Sequence, residues 1–173
     1  MADFEIKDGV LIKYHGHNQK VVVPEGIIDI GDSAFKDNDS IFSIELPQSL
    51  IDIGEEAFSN CKRLTELVFP SKLESIGVRA FFHCESLKKI TLSKAIKYIE
   101  FAAFSYTKIK DIYYGGTLEE FGAVKSSGLP FSDSSSGSST IFGVYSPVLH
   151  CKDVKDSLYY LLAGLQGLTG END

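Results

Sequence analysis

Apolar and polar positions along this chain follow a pattern that returns every 23 residues. Each unit contains an Ala–Phe pair, and the phenylalanines of successive pairs are Phe35, Phe58, Phe81 and Phe104. The other half of the unit alternates as Leu/Ile-x-x-Ile/Leu-x-apolar, which predicts a short strand. The Ala–Phe half is too short for an independent helix and predicts one helical turn, for example at 54–60 and 77–83. We therefore expect a coil in which each turn adds one strand and one tighter return segment.

Stacked coils should place equivalent residues in columns, with the Ala–Phe phenylalanines stacked on one another. Two inward columns are expected, and they contain Ile44, Leu67, Ile90 and Ile112 in one and Leu46, Phe69, Leu92 and Tyr114 in the other. The fourth copy arrives one residue early, which a deletion between Phe104 and Ile109 explains. Half a copy, Val21-x-Val23-Pro24, precedes the series.

The outward positions of the strands form two further columns on the face where solenoids usually bind. The first column contains Lys20, Ser43, Glu66, Lys89 and Asp111, and the second contains Val22, Glu45, Val68, Thr91 and Tyr113. The first is mixed in charge, whereas the second is more apolar than solvation requires. Strands also tolerate Val, Thr and Tyr for their own sake, and that alternative stays open. The binding residues that we predict on this face are Val22, Glu45, Glu66, Val68, Lys89, Thr91, Asp111 and Tyr113.

The pattern Ile-Gly-x-x-Ala-Phe-x-x-Cys-x-x-Leu-x-x-Ile-x-Leu-Pro resembles the BspA-like branch of leucine-rich repeats, the bacterial surface-antigen type, over residues 21–116. The resemblance implies a strand-rich α/β fold, a right-handed leucine-rich-repeat solenoid. Its members include bacterial surface proteins implicated in adhesion and host-protein binding, as well as uncharacterised intracellular proteins. This chain departs from the surface members in its few repeats and in showing no signal peptide or anchor.

Segments outside the repeats are expected to cap a single domain spanning 1–173. In residues 1–24, alternation on both sides of Asp8-Gly9 predicts a hairpin cap, and the repeats follow over 25–116. Residues 117–152 are expected to hold a short helix from a Thr117–Glu120 capping box to about Lys125, a Ser/Gly-rich loop over 126–140, and closing strands at 141–145 and 148–151. Phe131 in that loop is expected to add little to stability.

Residues 153–173 predict a helix and tail. One helical face would carry Val154, Leu158, Leu161, Leu162, Leu165 and Leu168. Three interpretations stay open: a cap lying on the last coil, an exposed helix that binds a partner or dimerises, and a frayed tail.

Composition excludes some classes of partner. The net charge of −7 and the pI of about 5.1 argue against nucleic acid. The sequence shows no apolar run long enough to span a bilayer, so membrane insertion is not expected. The amino terminus lacks a basic segment followed by an apolar stretch, so we expect the chain, as written, to be cytoplasmic. A cell-surface location is expected instead if the sequence was trimmed.

Candidate chemistry is sparse. Three cysteines without a CxxC pair argue against a zinc site, and Cys61 and Cys84 are expected to be two buried thiols of one column, with a disulfide as the alternative. His15-Gly16-His17 is interpreted as a solvated turn rather than a metal site. Adjacent residues of an extended strand point to opposite faces, so His150 and Cys151 should not form an activated pair. We therefore expect no enzyme, no metal and no cofactor.

These patterns favour a non-enzymatic protein–protein interaction module that binds a protein or peptide on its strand face. Two alternatives stay open. The first is a trimmed, adhesin-like surface protein that binds host or matrix protein, and the second is a homodimerising structural domain.

Overall fold

The chain forms a strand-rich solenoid of about five coils. The computed structural model describes residues 3–128, 130–131 and 147–152. Each coil has three sides, which we call the front strand, the back strand and the turn segment. Such a coil cannot bury its apolar side chains alone, so its stability comes from stacking on its neighbours.

The secondary-structure elements of the described part are short. An N-terminal hairpin is formed by β1 (Phe4–Lys7) and β2 (Val10–Tyr14). The front strands are β3 (Lys20–Val22), β5 (Ser43–Glu45), β7 (Glu66–Val68), β9 (Lys89–Leu92) and β11 (Asp111–Tyr114). The back strands are β4 (Asp29–Ile30), β6 (Asp52–Ile53), β8 (Ser75–Ile76) and β10 (Tyr98–Ile99). Helix α1 (Leu118–Gly122) and front strand β12 (Val148–His150) complete the set.

Sheet topology follows the repeat. The back sheet is continuous in the order β1-β2-β4-β6-β8-β10, whereas the front strands form two sheets, β3-β5 and β12-β11-β9-β7. All coil-to-coil pairs are parallel and keep equivalent residues opposite one another, as Ile53 and Ile76 show. Ile112 of β11 lies opposite Ile90 of β9. The missing residue of the fourth copy is therefore absorbed before β11, as the sequence predicts.

A column of stacked phenylalanine rings runs through the core. The ring centroids lie 4.7 Å apart for Phe35–Phe58, 5.0 Å for Phe58–Phe81 and 5.2 Å for Phe81–Phe104, with the planes within 7° of parallel. Tyr14 of the hairpin extends the column at one end, 5.2 Å from Phe35. The two predicted inward columns of the front strands are also confirmed, since all eight side chains are buried.

Phe131 occupies the other end of this column, where its ring stacks on Phe104 at 5.2 Å and 14°. The expectation that this residue adds little to stability is therefore revised. An aromatic ring that covers the last member of a stack shields that ring from water and contributes packing of its own.

The turn segments differ from the helical turn that the sequence predicts. In the segment at 54–60, Glu56 and Asn60 have left-handed backbone angles, φ 52° and 62°. Left-handed residues prevent a helix from forming here, and alternate N–H groups of the segment point toward the next coil. Phe58 N–H, for example, donates to the Ala80 carbonyl at 2.7 Å. Gly77 lies where this packing is closest, because a Cβ there would come within 2.7 Å of the Gly54 backbone.

The predicted caps are confirmed where the structure describes them. Strands β1 and β2 pair in antiparallel fashion around Asp8 and Gly9, both with positive φ. Thr117 and Glu120 form the capping box of α1, which ends at Gly122, earlier than predicted. The predicted strand at 141–145, the tail helix at 153–173 and most of the Ser/Gly-rich loop lie outside the described residues.

Two aspartates lie side by side on the back sheet, where the parallel register places Asp29 opposite Asp52. Burial raises the pKa of the Asp29 carboxyl above its ordinary value, and the charges of Asp52 and Asp32 raise it further. Burial also raises the pKa of Asp52, with Glu74 adding to the rise and Lys97 opposing it. A carboxyl whose folded pKa is raised opposes folding once it is ionised.

We expect the substitution Phe58→Ala to lower the free energy of unfolding by more than about 3 kcal/mol, because it removes a ring from the middle of the stack. The control is Phe42→Ala, since Phe42 is 44% exposed and should cost less than about 1 kcal/mol. Denaturant unfolding of both variants checks this prediction. Comparable losses at the two positions would contradict it.

We expect Asp29→Asn to raise the free energy of unfolding at pH 7, because it removes a charge that burial and like charges disfavour. The gain should shrink as pH falls, because the native carboxyl, whose pKa is raised, takes up its proton before an ordinary aspartate does. Chemical unfolding between pH 4 and pH 7 measures this, with the exposed Asp39→Asn as control. If Asp39→Asn stabilised the protein equally, or if the effect of Asp29→Asn did not depend on pH, the ionised Asp29 carboxyl would not be destabilising.

Candidate functional site

The outward surface of the front strands, which we call the front face, carries the residues predicted to bind. The register of the strand pairs places them in the two predicted columns. Val22 lies opposite Glu45, while Val68, Thr91 and Tyr113 follow one another across β7, β9 and β11. Lys20 lies opposite Ser43, and this first column continues as Glu66, Lys89 and Asp111.

Apolar side chains stand out from this face into solvent. Val68 is 67% exposed, Val22 is 63% exposed and Tyr113 is 38% exposed. Side chains that alternate with them along the same strands, such as Leu67 and Ile112, are fully inside the core. The front face therefore carries apolar area that is not buried in the core of the solenoid.

Tyr113 is the centre of a cluster that joins three front strands. The Lys89 ammonium lies 4.9 Å from the centroid of the Tyr113 ring, a cation–π contact. On its other side, the His150 ring stacks on Tyr113 at 4.3 Å and 8°. His150 Nε2 lies 3.0 Å from an Asp111 carboxylate oxygen. These contacts hold the Tyr113 ring in one orientation at the surface.

His150 is a member of this face that the sequence pattern did not reveal. A strand was expected at 148–151 but its neighbour was not, and the structure pairs His150 with Tyr113. Leu149 is buried while His150 points outward, and this alternation was the available signal. The front face therefore has one more strand than the repeats account for.

The front face is interrupted between β5 and β7. These strands belong to adjacent coils but to different sheets, whereas the back strands β4 and β6 of the same coils pair normally. A groove of about 410 Å³ lies along the interruption, and the residues around it include Ser43, Glu45, Gln48, Glu66, Val68 and Thr91. Five of the predicted binding residues therefore line one depression, namely Glu45, Glu66, Val68, Lys89 and Thr91.

The His15-Gly16-His17 segment, considered above as a metal site, follows strand β2 of the hairpin. His15 Nε2 lies 3.3 Å from a Glu5 carboxylate oxygen on the exposed hairpin, which fits a solvated turn. Within residues 3–128, 130–131 and 147–152, no group of three or more His, Cys, Asp or Glu side chains is placed to hold a metal ion.

The thiols of Cys61 and Cys84 are buried and unbridged, as the sequence predicts. Cys61 donates to the Phe35 carbonyl at 3.3 Å, and Cys84 donates to the Phe58 carbonyl at 3.2 Å. Burial raises the pKa of Cys61 to about 12, and burial also raises the pKa of Cys84 well above its ordinary value. A thiol that keeps its proton at neutral pH is a poor nucleophile and a poor metal ligand.

The repeats match the family described as BspA type leucine rich repeat region, in six copies over residues 11–125. The chain belongs to that family. Such repeat proteins generally take part in protein interactions or are associated with the cell surface. No curated protein is significantly similar to the chain in sequence.

Two solved structures are similar to this BspA-type chain. One is a leucine rich cell surface protein from Faecalibacterium prausnitzii A2-165, with 24% identity and a TM-score of 0.49 over 70% of this chain. The matched part is 40% of that protein's length. The other is the leucine rich repeat protein of T. pallidum, with 16% identity and a TM-score of 0.38, covering 64% of this chain and 81% of that one. In the part of the chain that the structure describes, no helix is long and apolar enough to cross a membrane.

We expect Cys61 and Cys84 to resist a thiol reagent such as dithionitrobenzoate at pH 8 in the native protein and to react fully in denaturant, because both are buried and protonated. Cys151, which is half-buried, is expected to react first and serves as the internal control. Thiol titration with and without denaturant measures this. Two thiols that stay missing in denaturant and return after reduction would instead show a Cys61–Cys84 disulfide.

Proposed function

We propose that this chain is a non-enzymatic interaction module that binds a protein or peptide partner on its front face. The observation that carries the proposal is the exposed apolar area of Val22, Val68 and Tyr113, which point outward from a surface of parallel strands. Apolar side chains on a rigid surface are the usual anchors of a protein interface, with tyrosine prominent among them.

The surroundings of these side chains support the same conclusion. Charged and polar residues alternate with them, including Glu45, Thr91 and Lys89, so a partner would meet apolar anchors inside a polar rim. The Tyr113 ring is held by Lys89 and His150 before any partner arrives. A side chain that is already ordered loses less conformational entropy on binding.

Family membership agrees with this proposal, because proteins with these repeats are generally interaction or surface proteins. Catalysis has no comparable support, since burial keeps the Cys61 and Cys84 thiols protonated and the described residues contain no group of three or more side chains placed to hold a metal ion. Every coil contributes to the front face, which therefore offers several contact points along one line.

The test compares two double variants, each of which replaces two exposed aliphatic side chains with serine. Val22→Ser with Val68→Ser alters the front face, and Ile28→Ser with Ile51→Ser alters exposed positions beside the back sheet. We expect the front variant to lose partner binding by about tenfold or more while the back variant binds like the unmodified chain. Both should keep the circular dichroism spectrum of the parent chain.

The measurement is quantitative mass spectrometry of proteins captured on each immobilised form from a lysate of the source organism, followed by titration of any captured protein. The proposal is supported by a protein that is retained by the parent chain and the back variant and lost by the front variant. Equal loss on both variants, or equal retention, would contradict binding at the front face. A self-associating chain whose dimer is lost only in the front variant would identify a second copy as the partner.

A further inference from the structure

The interruption between β5 and β7 leaves main-chain groups without the bonds that other coils make. At the carboxyl end of the front strands, Val23 N–H donates to the Glu45 carbonyl at 3.0 Å, and Phe69 N–H donates to the Thr91 carbonyl at 2.9 Å. The equivalent bond from Leu46 N–H to the Val68 carbonyl is absent from the described structure.

The amino end of the same pair shows a matching defect. There, Lys88 N–H donates to the Thr65 carbonyl at 2.9 Å, but Thr65 N–H makes no such bond to the preceding coil. Instead the Thr65 hydroxyl donates to the Phe42 carbonyl at 3.5 Å. The two coils are therefore joined on this side by a long side-chain bond, and the N–H groups of Leu46 and Thr65 beside the groove make no main-chain hydrogen bond in the described structure. Extended peptides are recognised largely through such main-chain groups.

Two glutamates and one lysine, Glu45, Glu66 and Lys89, line this groove. The register places Glu66 opposite Lys89, yet the Lys89 ammonium lies over the Tyr113 ring rather than in an ion pair with Glu66. Glu45 also lies in no ion pair with any described residue. Both side chains are exposed, and the chain carries a net charge of −7. With two carboxylates against one ammonium, the groove lining has a net negative charge, which favours a positively charged group on a partner.

The apolar wall of the groove narrows the class of that cation. Val68 shares the groove lining with the two glutamates and is 67% exposed. Lysine and arginine side chains combine a long apolar stem with a charged end, so the stem can cover Val68 while the end reaches a carboxylate. A small inorganic cation would gain nothing from Val68, and no group of three metal-binding side chains lies in the described structure.

We infer that the groove between β5 and β7 binds an extended peptide segment of the partner through a lysine or arginine side chain placed between Glu45 and Glu66. This inference rests on the proposed function and names the chemistry of the partner. The strand edges supply main-chain hydrogen bonds, Val68 supplies apolar contact, and the two glutamates select for positive charge.

The test uses pools of pentapeptides whose central residue is lysine, arginine, norleucine or glutamate and whose other residues are varied. The parent chain should capture the lysine and arginine pools at least about fivefold more strongly than the norleucine pool. The double variant Glu45→Gln with Glu66→Gln should lose this preference. The control Asp39→Asn with Glu119→Gln changes the net charge equally, away from the groove, and should keep it.

Two results would overturn the inference: a parent chain that does not prefer the cationic pools, or a preference that the glutamate variant retains. Neither affects the front-face proposal, which depends on the Val22 and Val68 variants. Loss of the partner in those variants, with full retention in the glutamate variant, would leave the proposed function standing and refute the groove. Retention in all variants would refute the proposed function itself.

Discussion

Face-to-face contact between the phenylalanine rings of successive coils sets the rise of this solenoid. Their centroids are 4.7 to 5.2 Å apart, which matches the spacing of about 4.8 Å between hydrogen-bonded strands. The ring column, the back sheet and the hydrogen bonds between turn segments are therefore satisfied by one and the same rise. A coil that moved along the axis would lose all three kinds of contact together.

The interruption on the front face is a local departure from this match. Phe35 and Phe58 still stack at 4.7 Å, and β4 still pairs with β6, so the same two coils are in full contact at the core and at the back. Only their front strands fail to pair. The groove between β5 and β7 is thus opened without loss of the core contacts, and the aromatic column holds the coils in place beside it.

The columns of the solenoid were predictable because burial imposes a strict pattern on residue types. Positions such as Ile90 and Phe81 must be apolar in every copy, and their spacing alone specifies the register. The interruption between β5 and β7 was not predictable, since the copies containing these strands have the same apolar pattern. That pattern does not determine whether the backbone groups of two front strands form hydrogen bonds.

Two other features could not be predicted from the sequence, for different reasons. The left-handed angles at Glu56 and Arg79 occur in residues other than glycine. The residue types therefore did not indicate that the turn segments would not be helical. The contact between His150 and Tyr113 joins a repeat strand to one that does not repeat, and periodicity cannot predict such a pair. The candidate site could therefore be outlined from the outward columns but not completed.

Strand β12 is much farther in sequence from its neighbour β11 than one coil, since thirty-three residues separate Tyr114 from Val148. Closing a loop of that length costs about 3 kcal/mol of chain entropy. Each earlier front strand follows its predecessor by a single coil, so its closure is shorter. Among the described front strands, β12 and β11 therefore form the pair that is farthest apart in sequence, and it is this pair that brings His150 onto Tyr113.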